Sequence, residues 1–221
     1  GLIFDHSMLD RAEQEIKRQY LSQGKYAATV KTVVSPMERN RVAIRFDIEE
    51  GAVSKIRGIN IVGNRDFEDE VLLEQFKLTT PNWLSWWNKD DQYSKQKLTA
   101  DLESLRSFYM NQGYLEFNVD STQVSITPDK RDIYITVNIT EGPKYKVSEV
   151  KLAGEILLPE EEALALINVV PGEYFNRQKV TDSSKAISDR LGNDGYAFAN
   201  VNAAPNVDKD NHTVGFTFYV D

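Results

Sequence analysis

One stretch is written three times in this chain, and an internal repeat constrains architecture before any single residue does. In the middle copy, YSKQKLTADLESLRSFYMNQGYLEFNV (93–119), an aromatic residue leads through a helix-patterned segment to a glycine, and then into a strand. The other copies start at Phe4 and Phe175. Phe4 to Gly24, Tyr93 to Gly113 and Phe175 to Gly195 are each 20 positions, and Val30, Val119 and Val201 each follow their glycine by 6. A second match runs at a constant offset of 91, GAVSKIRGINIVGN (51–64) against GPKYKVSEVKLAGE (142–155), pairing Lys55 with Lys146, Ile59 with Val150 and Gly63 with Gly154.

Periodicity assigns elements within each copy. Leu9, Ile16 and Tyr20 form one stripe at a 3.6-residue period, which predicts a helix over 6–23 closed by Gly24. Leu98, Leu102, Leu105 and Tyr109 predict the matching helix of the middle copy, and Val180, Ile187 and Leu191 that of the last. Strict alternation predicts strands at Val42–Ile48, Ile133–Ile139 and Val214–Val220. A strand with Tyr26, Ala28 and Val30 on one face is expected to stop at Pro36, and its counterpart in the middle copy to span 114–126. Short helices are expected at 67–77, behind the acidic run Glu68–Glu70, and from Pro159 in front of Glu160–Glu162. Each complete copy therefore reads β-α-α-β-β, an α+β unit in which a three-stranded mixed sheet is covered by two helices on one face. If the last strand of a unit is central, the first lies parallel to it and the strand after the glycine is an exposed edge. The expected divisions are a truncated unit at 1–50 and complete units at 51–141 and 142–221, with the next boundary glycine falling just past Asp221.

Composition narrows the function. With 41% hydrophobic and 27% charged residues the chain is expected to be globular, and no apolar run reaches the ~20 residues of a spanning helix. The absence of cysteine excludes disulfides and thiolate metal sites. A net charge of −8 argues against nucleic acid, whose phosphates need clustered Lys and Arg. His6 and His212 fall in different units, so no metal pair is expected. Asp5-His6-Ser7 reads as a helix cap rather than a triad. No unit brings a polar constellation together as an enzyme requires. A binding scaffold and a passive spacer remain, differing only in whether the edges bind anything. No cofactor is expected. Trp83, Trp86 and Trp87 occupy a loop nine residues longer than its counterpart, whose aromatic surface suits contact with a partner or cover of their own domain.

The repeat, the Gly113-Tyr114 and Gly195-Tyr196 steps and the Glu50-Gly51 and Glu141-Gly142 boundaries resemble POTRA domains. FNVDSTQVSITPDKRDIYITVNITEG (117–142), GINIVGN (58–64) and YSKQKLTADLESLRSFY (93–109) are similar to the POTRA region of outer-membrane β-barrel assembly proteins of Gram-negative bacteria. The resemblance implies that 1–50 is the tail of a second POTRA domain, 51–141 the third and 142–221 the fourth. It implies a periplasmic setting, a C-terminal membrane barrel absent from this chain, accessory lipoproteins of the assembly complex and unfolded outer-membrane protein precursors as partners. A dedicated secretion pore or an autotransporter-assembly protein would carry similar domains. Carried over motif by motif, the surface for a propeller-shaped lipoprotein falls on Phe76, Leu78, Val124 and Ile126; Thr79 stands where relatives commonly carry an arginine. The strand expected to take extended clients begins Tyr114, Leu115, Glu116, Phe117, Asn118 and Val119.

Overall fold

The computed structural model describes residues 5–82, 89, 91–196 and 199–221. In chain order the elements are α1 (His6–Ser22), β1 (Thr29–Met37), β2 (Arg41–Glu49), β3 (Lys55–Val62), α2 (Asp69–Leu73), α3 (Lys95–Met110), β4 (Asn118–Ile126), β5 (Asp132–Thr140), β6 (Lys146–Gly154), α4 (Glu160–Ala165), α5 (Arg177–Asn193), β7 (Val201–Asp208) and β8 (Thr213–Val220). They build three sheets, β1-β2, β3-β5-β4 and β6-β8-β7. The chain divides into two compact units. The first is Gly1–Val62 with Asp69–Leu102 and Ser121–Asn138; the second is Gly63–Glu68 with Glu103–Asp120 and Ile139–Asp221.

The strand order expected from the repeat is the one found. β3 runs parallel to β5 and β6 parallel to β8, each with one register shift near its start, while β7 is antiparallel to β8 throughout. Burial explains the centre position of β5. Its odd residues Ile133, Ile135, Val137 and Ile139 are buried and Tyr134 between them is exposed, so one face meets the core and the other meets water. In the last repeat Val214, Phe216, Phe218 and Val220 of β8 share a cluster with Val147 of β6, Ala163 of α4 and Ile187 and Leu191 of α5. Both helices therefore cover one face of that sheet.

Local chemistry sets the ends of the elements. Asp5 caps α1, its carboxylate accepting from Ser7 N at 2.9 Å, and Asn176 caps α5 by accepting from Lys179 N at 3.1 Å. Gly63 and Gly154 close β3 and β6 at φ +106° and +95°. A Cβ at either position would lie 2.1 Å from a carbonyl oxygen, of Ile139 or Val220. The turn therefore demands glycine twice over, for its φ and for its space.

Five boundaries differ from the sequence expectation. The strand expected to carry Tyr26, Ala28 and Val30 starts at Thr29, leaving Tyr26 and Ala28 in the segment ahead of it. Pro36 does not stop β1; it pairs opposite Val42 inside the strand, because β1 has a single neighbour and a proline nitrogen can face outward. The short helix of the middle repeat is confined to Asp69–Leu73, and Pro159 is the cap of α4 rather than its first residue. The strand expected at 114–126 starts only at Asn118.

The links between repeats recur in detail. Gly24 O accepts from Ser54 N at 2.9 Å, and Gly113 O accepts from Tyr145 N at 2.8 Å; the donors lie 91 positions apart. At the first link Tyr26 and Tyr93 approach to 5.9 Å between ring centroids, and burial pushes the Tyr26 hydroxyl up to about 12. At the second, Lys144 Nζ lies over two rings, Tyr114 at 5.2 Å and Tyr174 at 5.4 Å, while Arg177 pairs with Glu103 at 2.8 Å.

Candidate protein-binding edge

β4 is an outer strand, with β5 on one side and no strand on the other among the described residues. It is joined to β5 as an antiparallel hairpin, which the pairings Thr127–Asp132, Ser121–Asn138 and Asp120–Thr140 trace in opposite chain directions. Its side chains are mostly exposed, with only Val119 and Ile126 half-buried. Thr127 N donates to Asp132 O at 3.0 Å, so the Thr127 N–H points into the sheet. Backbone groups alternate along a strand, which turns the N–H of Ile126 outward, that of Ser125 inward and that of Val124 outward. An outward row of donors and acceptors is the chemistry that pairs with another extended chain.

Val124 is 36% exposed and Ile126 half-buried, so both present apolar surface at this edge. Phe76 and Leu78 are placed differently, at 6% and 1% exposure in the core. Their segment is pinned by Asp101 of α3. One carboxylate oxygen accepts from Lys77 N at 2.9 Å and the other from Leu78 N at 2.9 Å. A residue held inward in this way cannot offer its side chain to a partner without local opening. Asp101 was not among the residues singled out from sequence. Its signal was a charge inside an apolar stripe, between Leu98 and Leu105. The last repeat keeps the device: Ser183 is buried on α5, and its hydroxyl accepts from Asn168 N at 3.0 Å.

The first four residues of the expected edge belong to a turn, not a strand. Tyr114 N donates to Tyr109 O at 3.2 Å and Phe117 N to Tyr114 O at 3.2 Å. Tyr114 and Phe117 are buried, Phe117 stacking on Tyr109 at 4.3 Å with Phe67 edge-on to Tyr109 and Tyr114. Buried hydroxyls need partners, and two carboxylates supply them: Tyr109 Oη donates to Glu141 at 2.8 Å and Tyr114 Oη to Asp66 at 2.5 Å. Burial, and then these carboxylates, hold both phenols far above the ordinary tyrosine range. Glu116 is also engaged, pairing with Lys209 Nζ at 2.9 Å, which holds its carboxyl below the usual range. Leu115 is half-buried, and its N–H is taken by Gly113 O at 2.9 Å. The aromatic run is therefore a plug before the edge, and the edge proper is Asn118–Ile126. Trp83, Trp86 and Trp87 lie outside the described residues.

Residues 1–51, 54–142 and 145–221 each match the POTRA family, described as surface antigen variable number repeat. The chain belongs to that family. Among curated proteins it is 30% identical over 219 residues to the outer membrane protein assembly factor BamA of Neisseria meningitidis, covering 99% of this chain and 28% of that protein. It is 33% identical over 223 residues to BamA of Buchnera aphidicola, covering 100% of this chain and 36% of that protein. The chain thus spans about a third of the length of these relatives. Among solved structures, Haemophilus influenzae BamA POTRA3-5 superposes with a TM-score of 0.64 at 25% identity, over 76% of this chain and 66% of that one. The arrangement of β-α-α-β-β repeats is thus the POTRA arrangement.

Proposed function

We propose that this chain is the periplasmic POTRA segment of an outer-membrane protein assembly factor of the BamA kind, divided into domains at 1–50, 51–141 and 142–221. In this reading it works as a scaffold: β4 accepts an extended segment of another chain by β-augmentation. The segment comes from an unfolded β-barrel precursor, and Val124 and Ile126 add an apolar contact for an accessory lipoprotein. The observation that supports the reading is the outer position of β4, with the alternate N–H groups of Val124 and Ile126 turned away from β5. Main-chain hydrogen bonds supply affinity without demanding one sequence, which suits clients that share only an extended, alternating pattern.

Two adjacent substitutions test it. Val124→Pro removes an outward donor and should abolish binding of an extended peptide while the melting temperature is kept. Ser125→Pro removes an inward donor and should damage the hairpin itself. Val124→Ala separates the backbone from the side chain and should retain most peptide binding. Undiminished peptide affinity in a folded Val124→Pro protein refutes strand addition at β4.

A further inference from the structure

Of the 7 prolines in the chain, two lie inside strands, Pro36 of β1 and Pro205 of β7. β1 and β7 are the strands that correspond to β4 in the other two repeats, the first strand of each C-terminal hairpin. β4 itself, NVDSTQVSI, contains no proline. The geometry shows what Pro205 does. Asn200 and Asp221 exchange two backbone hydrogen bonds at 2.9 Å each, so Asn200 faces β8. The register then runs without a shift from Val201↔Val220 to Asp208↔Thr213. Strict alternation from Asn200 turns the backbone of residues 202, 204 and 206 toward β8 and that of 201, 203, 205 and 207 away. Pro205 therefore removes an outward donor near the middle of the edge and places its ring where an incoming strand would pair. Its own sheet loses nothing, because no inward bond is missing. Pro36 occupies a strand of equally unshifted register, opposite Val42.

The two edges also differ in what else could hold a ligand. On β4 the only charged residue is Asp120, and its carboxylate is taken by Asn118 at 2.7 Å and Thr140 at 2.6 Å. The remaining side chains are hydroxyl, amide or aliphatic, so recognition there runs through the main chain.

We propose that the chain has one receptive hairpin edge: β4 captures extended segments, while Pro205 closes β7, and Pro36 closes β1, to the same ligand. The inference rests on strand addition at β4 and extends it to the selection of one repeat among three. The ligand is an extended polypeptide with an open row of backbone N–H and C=O groups and largely uncharged, β-branched side chains. Confining capture to one place keeps a client from being held on neighbouring repeats at once, and keeps copies of the chain from pairing edge to edge.

The test is backbone amide spectroscopy of the full chain with a short alternating Thr-Val peptide as probe, on wild type, Pro205→Thr and Pro205→Val. In wild type the amides of 118–126 should shift and those of 201–208 stay in place. In both Pro205 variants the amides of 201–208 should shift as well, doubling the peptide bound per chain, with an affinity at β7 within about tenfold of that at β4, since one restored donor is of that order. Raised salt should leave affinity unchanged to within about twofold, as expected for a ligand without charge contacts. Shifts at β7 in wild type, or silence at β7 in both folded variants while β4 still binds, overturn the proposal and leave strand addition intact. Silence at β4 in wild type overturns strand addition and this inference with it.

Discussion

Replacing Asp101 should destabilise the middle repeat more than any exposed charge in the chain. The carboxylate is 1% exposed and takes two backbone N–H groups at 2.9 Å, of Lys77 and of the buried Leu78. Hydrogen bonds to a charged group contribute roughly 1.5–3 kcal/mol each, and a buried donor left alone carries its full desolvation cost. Asp101→Ala therefore should cost about 3–5 kcal/mol, a large part of the roughly 5–15 kcal/mol typical of a domain. Asp101→Asn keeps one acceptor but turns an NH2 group toward the second N–H, and should cost about half as much. The three tryptophans, at 83, 86 and 87, all belong to the middle repeat, so urea unfolding followed by intrinsic fluorescence isolates it from its neighbours. With a urea dependence of about 1–3 kcal/mol per molar, Asp101→Ala should lower the fluorescence midpoint by at least about 1 M. A shift below about 0.3 M would show that water or another group satisfies Lys77 and Leu78, and the pinning argument would fail.

Gly154→Ala should unfold the last repeat selectively, since its Cβ meets Val220 O at 2.1 Å at a φ of +95°; circular dichroism that still melts in a wild-type transition would refute the steric argument. The Glu116–Lys209 pair should add a small, salt-sensitive increment of at most about 1 kcal/mol. Because Glu116 is depressed in the fold, that increment is present above the carboxyl's unfolded value of 4.5 and is lost as pH falls through the lower folded value. The melting temperatures of wild type and Glu116→Gln should therefore differ at neutral pH and converge in acid, and a gap that widens below pH 4.5 would contradict the assignment.

Much of this protein is legible in one dimension because a repeat states its design several times. The 20-residue spacing, the recurring glycine and the alternation in β2, β5 and β8 were enough to give element order; the central strand entered only as a condition, from which strand order and one-sided helix cover followed, and β5 and β8 meet it. These features depend on periodicity and on backbone conformation, which local residues dictate. Side-chain destinations were less accessible. The resemblance carries a partner surface onto Phe76 and Leu78, yet both are buried, and Asp101, more than 20 positions away, pins their segment through two backbone N–H groups. Tyr114–Phe117 carries strand-forming residues, yet aromatic packing on Tyr109 and the acceptors Glu141 and Asp66 bend it into a turn. Pro205 shows the same division of labour. Sequence alone states that a donor is missing; only the Asn200–Asp221 pair and the unshifted register with β8 decide that the missing donor faced away from the sheet, because inward and outward alternate residue by residue and a single shift reverses them.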